Sequence, residues 1–208
     1  MLKDKMGFSI RIKRGIFFNF FFIFLFGTLV SIASTALAQH EKSPSREEME
    51  HAIIKKRVHD ASKAAAQVKA LNGPFKGQRK AGGPLTAADN DVINEMKQHA
   101  RDRSKAMEGL IASDPGLALQ IALTPEERDQ FPEPVRAELE TEVNMEGELE
   151  VLVEDNFEEG TAKTHHAITV GNERYSLHFV EQPPELMSGS KVKVKGLRAG
   201  KRVAVPHQ

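Results

Sequence analysis

The alternation of apolar and charged residues in the C-terminal part of the chain constrains its fold more than any other feature. In residues 146–153, apolar side chains fall on one face of an extended strand and glutamates on the other, because successive side chains of a strand point to opposite faces. The apolar positions are Leu149, Val151 and Val153, and the glutamates are Glu146, Glu148 and Glu150. Residues 191–195 repeat this pattern with lysines. Such runs, separated by turn residues, predict a small β-barrel over residues 138–208.

Two blocks of opposite charge lie within this region. Residues 138–159 contain ten acidic residues and no basic ones, whereas residues 191–202 contain six basic residues and no acidic ones. In a five-stranded OB-like barrel the first strand pairs antiparallel with the fourth, so we expect the lysine face to meet the glutamate face, with Lys193 across from residues 146–150. Each exposed pair contributes about 0.2–1 kcal/mol, so its larger effect is on strand register.

Gly171 and Asn172 form a two-residue hairpin signal between two strand-like runs. The register that this turn sets places His165 directly opposite His178, with His166 on the other face. OB-type barrels bind ligands on the face of their second and third strands, so we expect a ligand face between these two runs. The candidate ligand-face residues are His165, Ala167, Arg174, Ser176 and His178.

Metal binding is the alternative function at two places. His165 and His178 could hold a metal ion, but no third ligand is identifiable, so a solvated histidine pair is the simpler interpretation. The acidic residues that flank Asn156 and Phe157 could take a calcium ion, but the spacing of an EF-hand is absent. These acidic residues are Glu154, Asp155, Glu158 and Glu159. We therefore predict no metal site and no cofactor.

Residues 39–137 predict a helical region that precedes the barrel. A capping box of Ser45 with Glu48 begins a long first helix, which we expect to end at residues 71–74. The apolar seam of this helix is narrow and rich in alanine, so the helix needs a partner to bury it. A second helix over about residues 86–112 supplies that partner and completes a helical hairpin.

The linker between these helices spans residues 73–84 and combines four glycines, two prolines and three basic residues. This composition breaks periodic structure and predicts an exposed segment. After the second helix, residues 113–137 are rich in leucine and interrupted by prolines, with short helices expected at Pro125 and near Pro134. The simplest interpretation of this segment is a helical plug packed on the barrel.

The first 38 residues have the order of a secretory signal. Basic residues precede an apolar run, and Ala38 ends a small-x-small pattern that is typical of a cleavage site before Gln39. We expect cleavage there and a periplasmic or secreted protein. An uncleaved inner-membrane anchor over residues 16–38 is the alternative. The chain contains no cysteine, so an exported form must be stabilised by packing rather than by disulfides.

Five segments of the chain carry a resemblance to a known kind of module. They are residues 114–119, 131–137, 151–157, 175–179 and 188–196. In sequence and order these segments resemble the N-terminal region of large secreted bacterial proteins, some of which continue into gametolysin-type metalloproteases or adhesive β-repeats. The similarity covers residues 104–205. It implies an accessory or pro-region-like module, and it carries no catalytic activity, because the catalytic part of such proteins does not lie in these residues.

Several functional classes are disfavoured by the residues of the chain. The motifs of zinc proteases, serine hydrolases, phosphate-binding loops and dinucleotide-binding folds are missing. Removal of the basic signal leaves a net negative chain, which argues against nucleic-acid binding. We therefore predict a non-enzymatic exported protein that acts by contact with another exported protein, with membrane contact only through an uncleaved signal. The alternative is an OB-type barrel that binds a small ligand or an oligosaccharide.

Overall fold

The computed structural model of the chain describes residues 44–78, 85–158, 160–183, 185 and 187–206. The predicted signal segment, with its cleavage site at Ala38 and Gln39, and residues 79–84 of the predicted linker lie outside this part. Residues Ser43–Gln208 belong to one compact unit. As the sequence predicts, the described chain is α+β, with a helical N-terminal region followed by a five-stranded mixed sheet that closes in a ring.

Two long helices form the predicted hairpin, α1 (Arg46–Gln78) and α2 (Ala87–Ser113). The alanine-rich seam of α1 is buried against α2, and Ala61 and Val68 on this seam are inaccessible to solvent. Ala61 packs with the C-terminal part of α2, whereas Val68 packs with its N-terminal part. The two helices are therefore antiparallel, and each supplies the burial that the other needs.

Capping boxes begin both helices. The Ser45 N–H donates to the Glu48 carboxylate at 2.7 Å, and the Ser45 hydroxyl accepts from the Glu48 N–H at 3.2 Å, as the sequence predicts. Thr86 and Asp89 make the same reciprocal pair at the start of α2. These contacts satisfy N–H groups that have no partner within the helix.

The sequence predicts that the first helix ends at residues 71–74. This prediction is wrong, because α1 continues through Pro74 to Gln78. A proline in a helix interior lacks the N–H for the usual backbone hydrogen bond and costs about 3 kcal/mol. Tertiary contacts on both sides of Pro74 offset this cost. Phe75 is buried in the core between α1 and α2, and the Asn72 side chain donates to the Gln130 carbonyl at 3.0 Å.

Three short helices follow, α3 (Pro115–Gln120), α4 (Pro125–Asp129) and α5 (Glu133–Arg136). The predicted start of α4 is confirmed, since Thr124 and Glu127 form a third capping box. Apolar residues of this segment enter the core of the helical hairpin. One of these clusters also contains Leu197, Ala199 and Ala204 from the last two strands, so the helical region and the ring share a core.

Five strands form the ring, β1 (Thr141–Asn156), β2 (Thr161–Val170), β3 (Glu173–Phe179), β4 (Lys191–Ala199) and β5 (Arg202–Val205). Their order around the ring is β1-β2-β3-β5-β4; β3 and β5 are parallel, and the other neighbours are antiparallel. The interior is an apolar cluster that includes Leu149, Ile168 and Val203. Tyr175 and Leu177 of β3 face inward and are buried.

The first strand is long enough to pair with two neighbours. Its first half pairs with β4 and places Glu146 opposite Lys193, as the charge pattern predicts. Glu148 has Cα partners in both β4 and β2, and the second half of β1 continues along β2. A Cβ at Gly147 would lie 2.2 Å from the Thr169 carbonyl oxygen, so β1 can change neighbours here only because this residue is glycine.

A buried ion pair that the sequence analysis missed joins the two regions. Arg103 on α2 and Glu140, directly before β1, are 2 % and 0 % exposed, and their closest N–O distance is 2.5 Å. Arg103 also donates to the carbonyl oxygens of Ala61 and Ile121, while the Glu140 carboxylate accepts the Leu123 N–H. One charged pair thus connects α1, α2, the chain after α3 and the start of the ring.

Candidate functional site

A groove of about 1130 Å³ runs along β2 and β3. Four of the five candidate ligand-face residues line it: His165, Arg174, Ser176 and His178. The fifth, Ala167, lies on the same face of β2 but is only 1 % exposed and does not reach the groove. Ala112 and Pro115, at the junction of α2 and α3, contribute to one side of the groove. The segment after β3 contributes to the other side, through residues such as Met187.

The alternation of β2 and β3 explains why polar side chains face the groove. Ile168 points into the ring, so its neighbours on β2 point outward. Two ion pairs orient the polar side chains. The Arg174 Nε lies 2.6 Å from a Glu150 oxygen across β2, and the His165 Nε2 lies 3.0 Å from the Glu154 carboxylate. Both pairs are exposed, so they position side chains but contribute little to stability.

Glu150 departs from the predicted pairing of glutamates with the lysines of β4. The ladder between β1 and β4 ends with Glu148 opposite Lys191, and the Cα partner of Glu150 is Ala167 of β2. The cation that Glu150 binds is Arg174 on β3. The prediction is wrong at this residue because β1 has already left β4 and joined β2.

The predicted pairing of His165 with His178 does not form. The ladder between β2 and β3 has the predicted register, but it ends at His166. Beyond this point, His165 lies opposite Leu152 of β1 and His178 lies opposite Ala204 of β5. The ladder between β2 and β3 ends here, although β2 still pairs with β1 and β3 with β5. The two histidines still line the same groove, from different strands.

Burial lowers the pKa of His178 below its usual value, and the positive charges of Arg202 and His165 lower it further. The Nε2 atom of His178 is buried and has no hydrogen-bond partner in the described part of the chain. Burial also lowers the pKa of His166, whose imidazole contacts Phe179 edge to face at a centroid distance of 5.2 Å. Both imidazoles therefore favour the neutral form more strongly than an ordinary histidine does.

The groove offers hydrogen-bonding groups and charges of both signs, since Arg174, Arg202, Glu181 and Glu185 all line it. Within the described residues, no group of three or more histidine or carboxylate side chains could hold a metal ion. The acidic loop considered for calcium includes Glu159, which lies outside the described part. The donors at the groove are the guanidinium groups of Arg174 and Arg202 and the hydroxyl of Ser176.

Exposed apolar side chains border the groove, and the sequence analysis did not identify them. Leu152 is 46 % exposed and Met187 is 78 % exposed, and both line the groove. Leu152 occupies the glutamate face of β1, where the alternation predicts a charged residue. That break in the pattern is a signal that could have identified Leu152. Met187 lies in the connection between β3 and β4, and no periodic pattern marks it.

The hairpin of β1 and β2 extends beyond the rest of the ring. Its ladder continues to Asn156 opposite Thr161, whereas β3 pairs with β2 only from His166 onward. Val153 and Phe157, on the extending part, are 63 % and 91 % exposed. Apolar side chains are therefore exposed both at the border of the groove and on the extending hairpin.

Comparisons of the chain with protein-family models, with curated proteins and with solved structures found no match. None of the helices in the described ranges is both long enough and apolar enough to cross a membrane.

Proposed function

We propose that this chain is a non-enzymatic exported protein that acts by contact with another exported protein, through the groove along β2 and β3. The observation that carries this proposal is the exposure of Leu152 and Met187 at the border of the groove. Large apolar side chains beside polar and charged surface are typical of protein interfaces. The secretory pattern of residues 1–38 supports export.

The five-stranded ring is, in this proposal, an OB-like barrel. The strand number and the neighbouring positions of β1 and β4 support this assignment, and the groove lies at the strands that such barrels use for binding. The resemblance of residues 104–205 to the N-terminal module of secreted bacterial proteins supports an accessory role. A module of that kind masks, chaperones or docks its partner without chemistry of its own.

Site-specific photocrosslinking in the compartment to which the protein is exported tests this function. A photoreactive residue in place of Met187 should give a covalent adduct with one protein partner. The same residue in place of Lys55, which is exposed on α1, is the control and should give none. Replacing Leu152 with Ser should reduce the Met187 adduct, because it removes apolar contact area at the groove. Adducts of equal yield from both positions, or no adduct at Met187, would contradict the proposal.

A small ligand such as an oligosaccharide is the second candidate for the groove. The observation that favours it is the buried, unpartnered Nε2 of His178 beside the hydroxyl of Ser176, among the described residues. A sugar hydroxyl could pair with the Ser176 hydroxyl, and it would reach the Nε2 of His178 only after a shift of the imidazole. A glycan-array signal that disappears in the variant Ser176→Ala would support this function. Silence on the array, together with an unchanged melting temperature, would exclude it.

A further inference from the structure

The second half of β1 has a strand edge with unpaired backbone groups. On the side of β1 that faces β4, the Leu149 N–H donates to the Ser190 carbonyl at 2.8 Å, and the Leu149 carbonyl accepts from Gly189 at 2.7 Å. Backbone groups of successive residues point to alternate sides of a strand, so every second residue after Leu149 faces this same side. Val151 follows the rule, since its N–H donates to the Ser188 hydroxyl at 3.2 Å.

Val153 and Asp155 are the next residues with backbone groups on this side. The ladder with β4 ends at Glu148, and no strand among the described residues pairs with Val153 or Asp155 there. Among the described residues before β4, Ser188 is the last to bond to this edge, and Met187 before it is exposed. An open edge of this kind is a template for an added strand.

The charges beside this edge indicate the chemistry of the strand that fits it. Glu154, Asp155 and Glu158 are all exposed around the open part of the edge. The paired half of β1 is also acidic, and the chain itself covers it with β4, in which lysines alternate with valines and Lys193 lies opposite Glu146. A strand that continues the line of β4 would meet the same acidic surroundings.

A second copy of this chain is a poorer occupant of the edge. Antiparallel pairing of two identical edges would bring the carboxylates of Glu154 and Asp155 from both copies close together, and like charges across strands are destabilising. A basic segment would meet opposite charge instead. In such a segment the apolar residues all lie on one face, where they would contact Val153, while the basic residues on the other face would lie beside Glu154.

We propose that the open edge of β1 at Val153 and Asp155 accepts an extended segment of a partner protein, in which basic and apolar residues alternate, as an added antiparallel strand. This inference rests on the proposed function, because it specifies the kind of partner segment that a contact protein would bind. Backbone hydrogen bonds to Val153 and Asp155 supply register, and lysine or arginine side chains pair with the neighbouring carboxylates.

A synthetic peptide, Lys-Val-Lys-Val-Lys-Val with a fluorescent label, tests the edge directly. It should bind the full chain in low salt, and hydrogen exchange of the Val153 and Asp155 amides should slow on binding. A peptide with glutamate in place of lysine should not bind. Equal binding of both peptides would overturn the proposal. So would protection that appears at Thr164, on the open edge of β2, instead of at Val153.

Two variants of one residue separate the backbone from the side chain. Val153→Pro removes the N–H that faces the open edge and leaves the hydrogen bonds to β2 in place, because Val153 does not donate towards β2. We expect peptide binding to weaken about tenfold or more. Val153→Ala keeps the N–H and should bind within about threefold of the parent chain. Equal weakening in the two variants, with unchanged melting temperatures, would overturn the proposal.

The crosslink from position 187 distinguishes failure of this inference from failure of the proposed function. If the peptide does not bind but the crosslink to the partner persists, the edge is not a binding site and the groove still is. If the peptide binds at Val153 and the crosslink is absent, the edge proposal is supported and the groove is removed as the contact site.

Discussion

The two ends of β1 place glutamates in opposite surroundings. Directly before the strand, the side chain of Glu140 is 0 % exposed against Arg103, whereas near the other end the side chain of Glu154 is 72 % exposed beside His165. Water screens the exposed pair, which contributes about 0–1 kcal/mol, while breaking a buried pair costs about 3–5 kcal/mol. The same residue type therefore anchors the strand at one end and stays available for contacts at the other.

Breaking the buried pair should have the largest effect on stability. Arg103→Met leaves the Glu140 carboxylate buried without its cation and should lower the free energy of unfolding by about 3–5 kcal/mol. Arg101→Met is a matched control, because it removes an exposed pair with Glu138 from the same helix and should have little effect on the free energy of unfolding. Urea denaturation followed by circular dichroism measures both losses. Similar losses in the two variants would show that burial does not distinguish these pairs.

The residue at which β1 changes neighbours should give the next largest effect. Gly147→Ala places a Cβ against the backbone of Thr169 and should cost about 1–3 kcal/mol, because the two strands must move apart. Gly77→Ala is the control. It lies in α1 and does not precede a proline, and apart from its chain neighbours no atom lies within 4 Å of the added Cβ, so it should be neutral or should stabilise by up to about 1 kcal/mol. A normal melting temperature for Gly147→Ala would mean that the close approach of β1 and β2 at this residue is absent.

The exposed pairing of β1 with β4 should give a smaller effect. Lys193→Glu sets like charges opposite each other at Glu146 and should cost about 0.5–1 kcal/mol. The double exchange with Glu146→Lys should recover most of the loss in low salt and less in high salt. Combining Lys193→Glu with Glu50→Lys on α1 should show no such recovery. Strictly additive losses for the Glu146 exchange would mean that the two strands do not pair.

The smallest effect should be the pH dependence of the unfolding free energy that comes from the two groove histidines, His166 and His178. The pKa values of His166 and His178 are lowered in the folded chain, mainly by burial, so the unfolded chain binds more protons below about pH 6.5. Their contribution is therefore fully present above pH 6.5 and is lost as the pH falls through the lowered values. His178→Gln should flatten the fall in unfolding free energy between pH 7.5 and pH 5.5, measured by urea titration at each pH. An unchanged slope would remove His178 as a source of this dependence.

Local patterns predict most of the secondary structure of this chain. The capping boxes and the turn at Gly171 depend on residues three or four positions apart, so they can be found without knowledge of the fold. The pairing of β1 with β4 is predictable because glutamates recur along one strand and lysines along the other, so the charge pattern is visible in the sequence. The groove is only partly predictable. Alternation identifies its outward-facing polar residues, but Ala112, Pro115 and Arg202 come from distant elements.

The sequence by itself determined the class of the fold, the starts of the helices, the inward and outward faces of the strands and the register of the central hairpin. Each of these depends on the geometry of a few consecutive residues. The tertiary structure decided that α1 continues past Pro74, that β2 pairs with β3 only from His166 onward, and that Arg103 and Glu140 are buried together. Those outcomes depend on which distant atoms surround a residue. The free-energy cost of a proline in a helix, of an unpaired strand end or of a buried charge depends on these contacts, which the residue type does not specify.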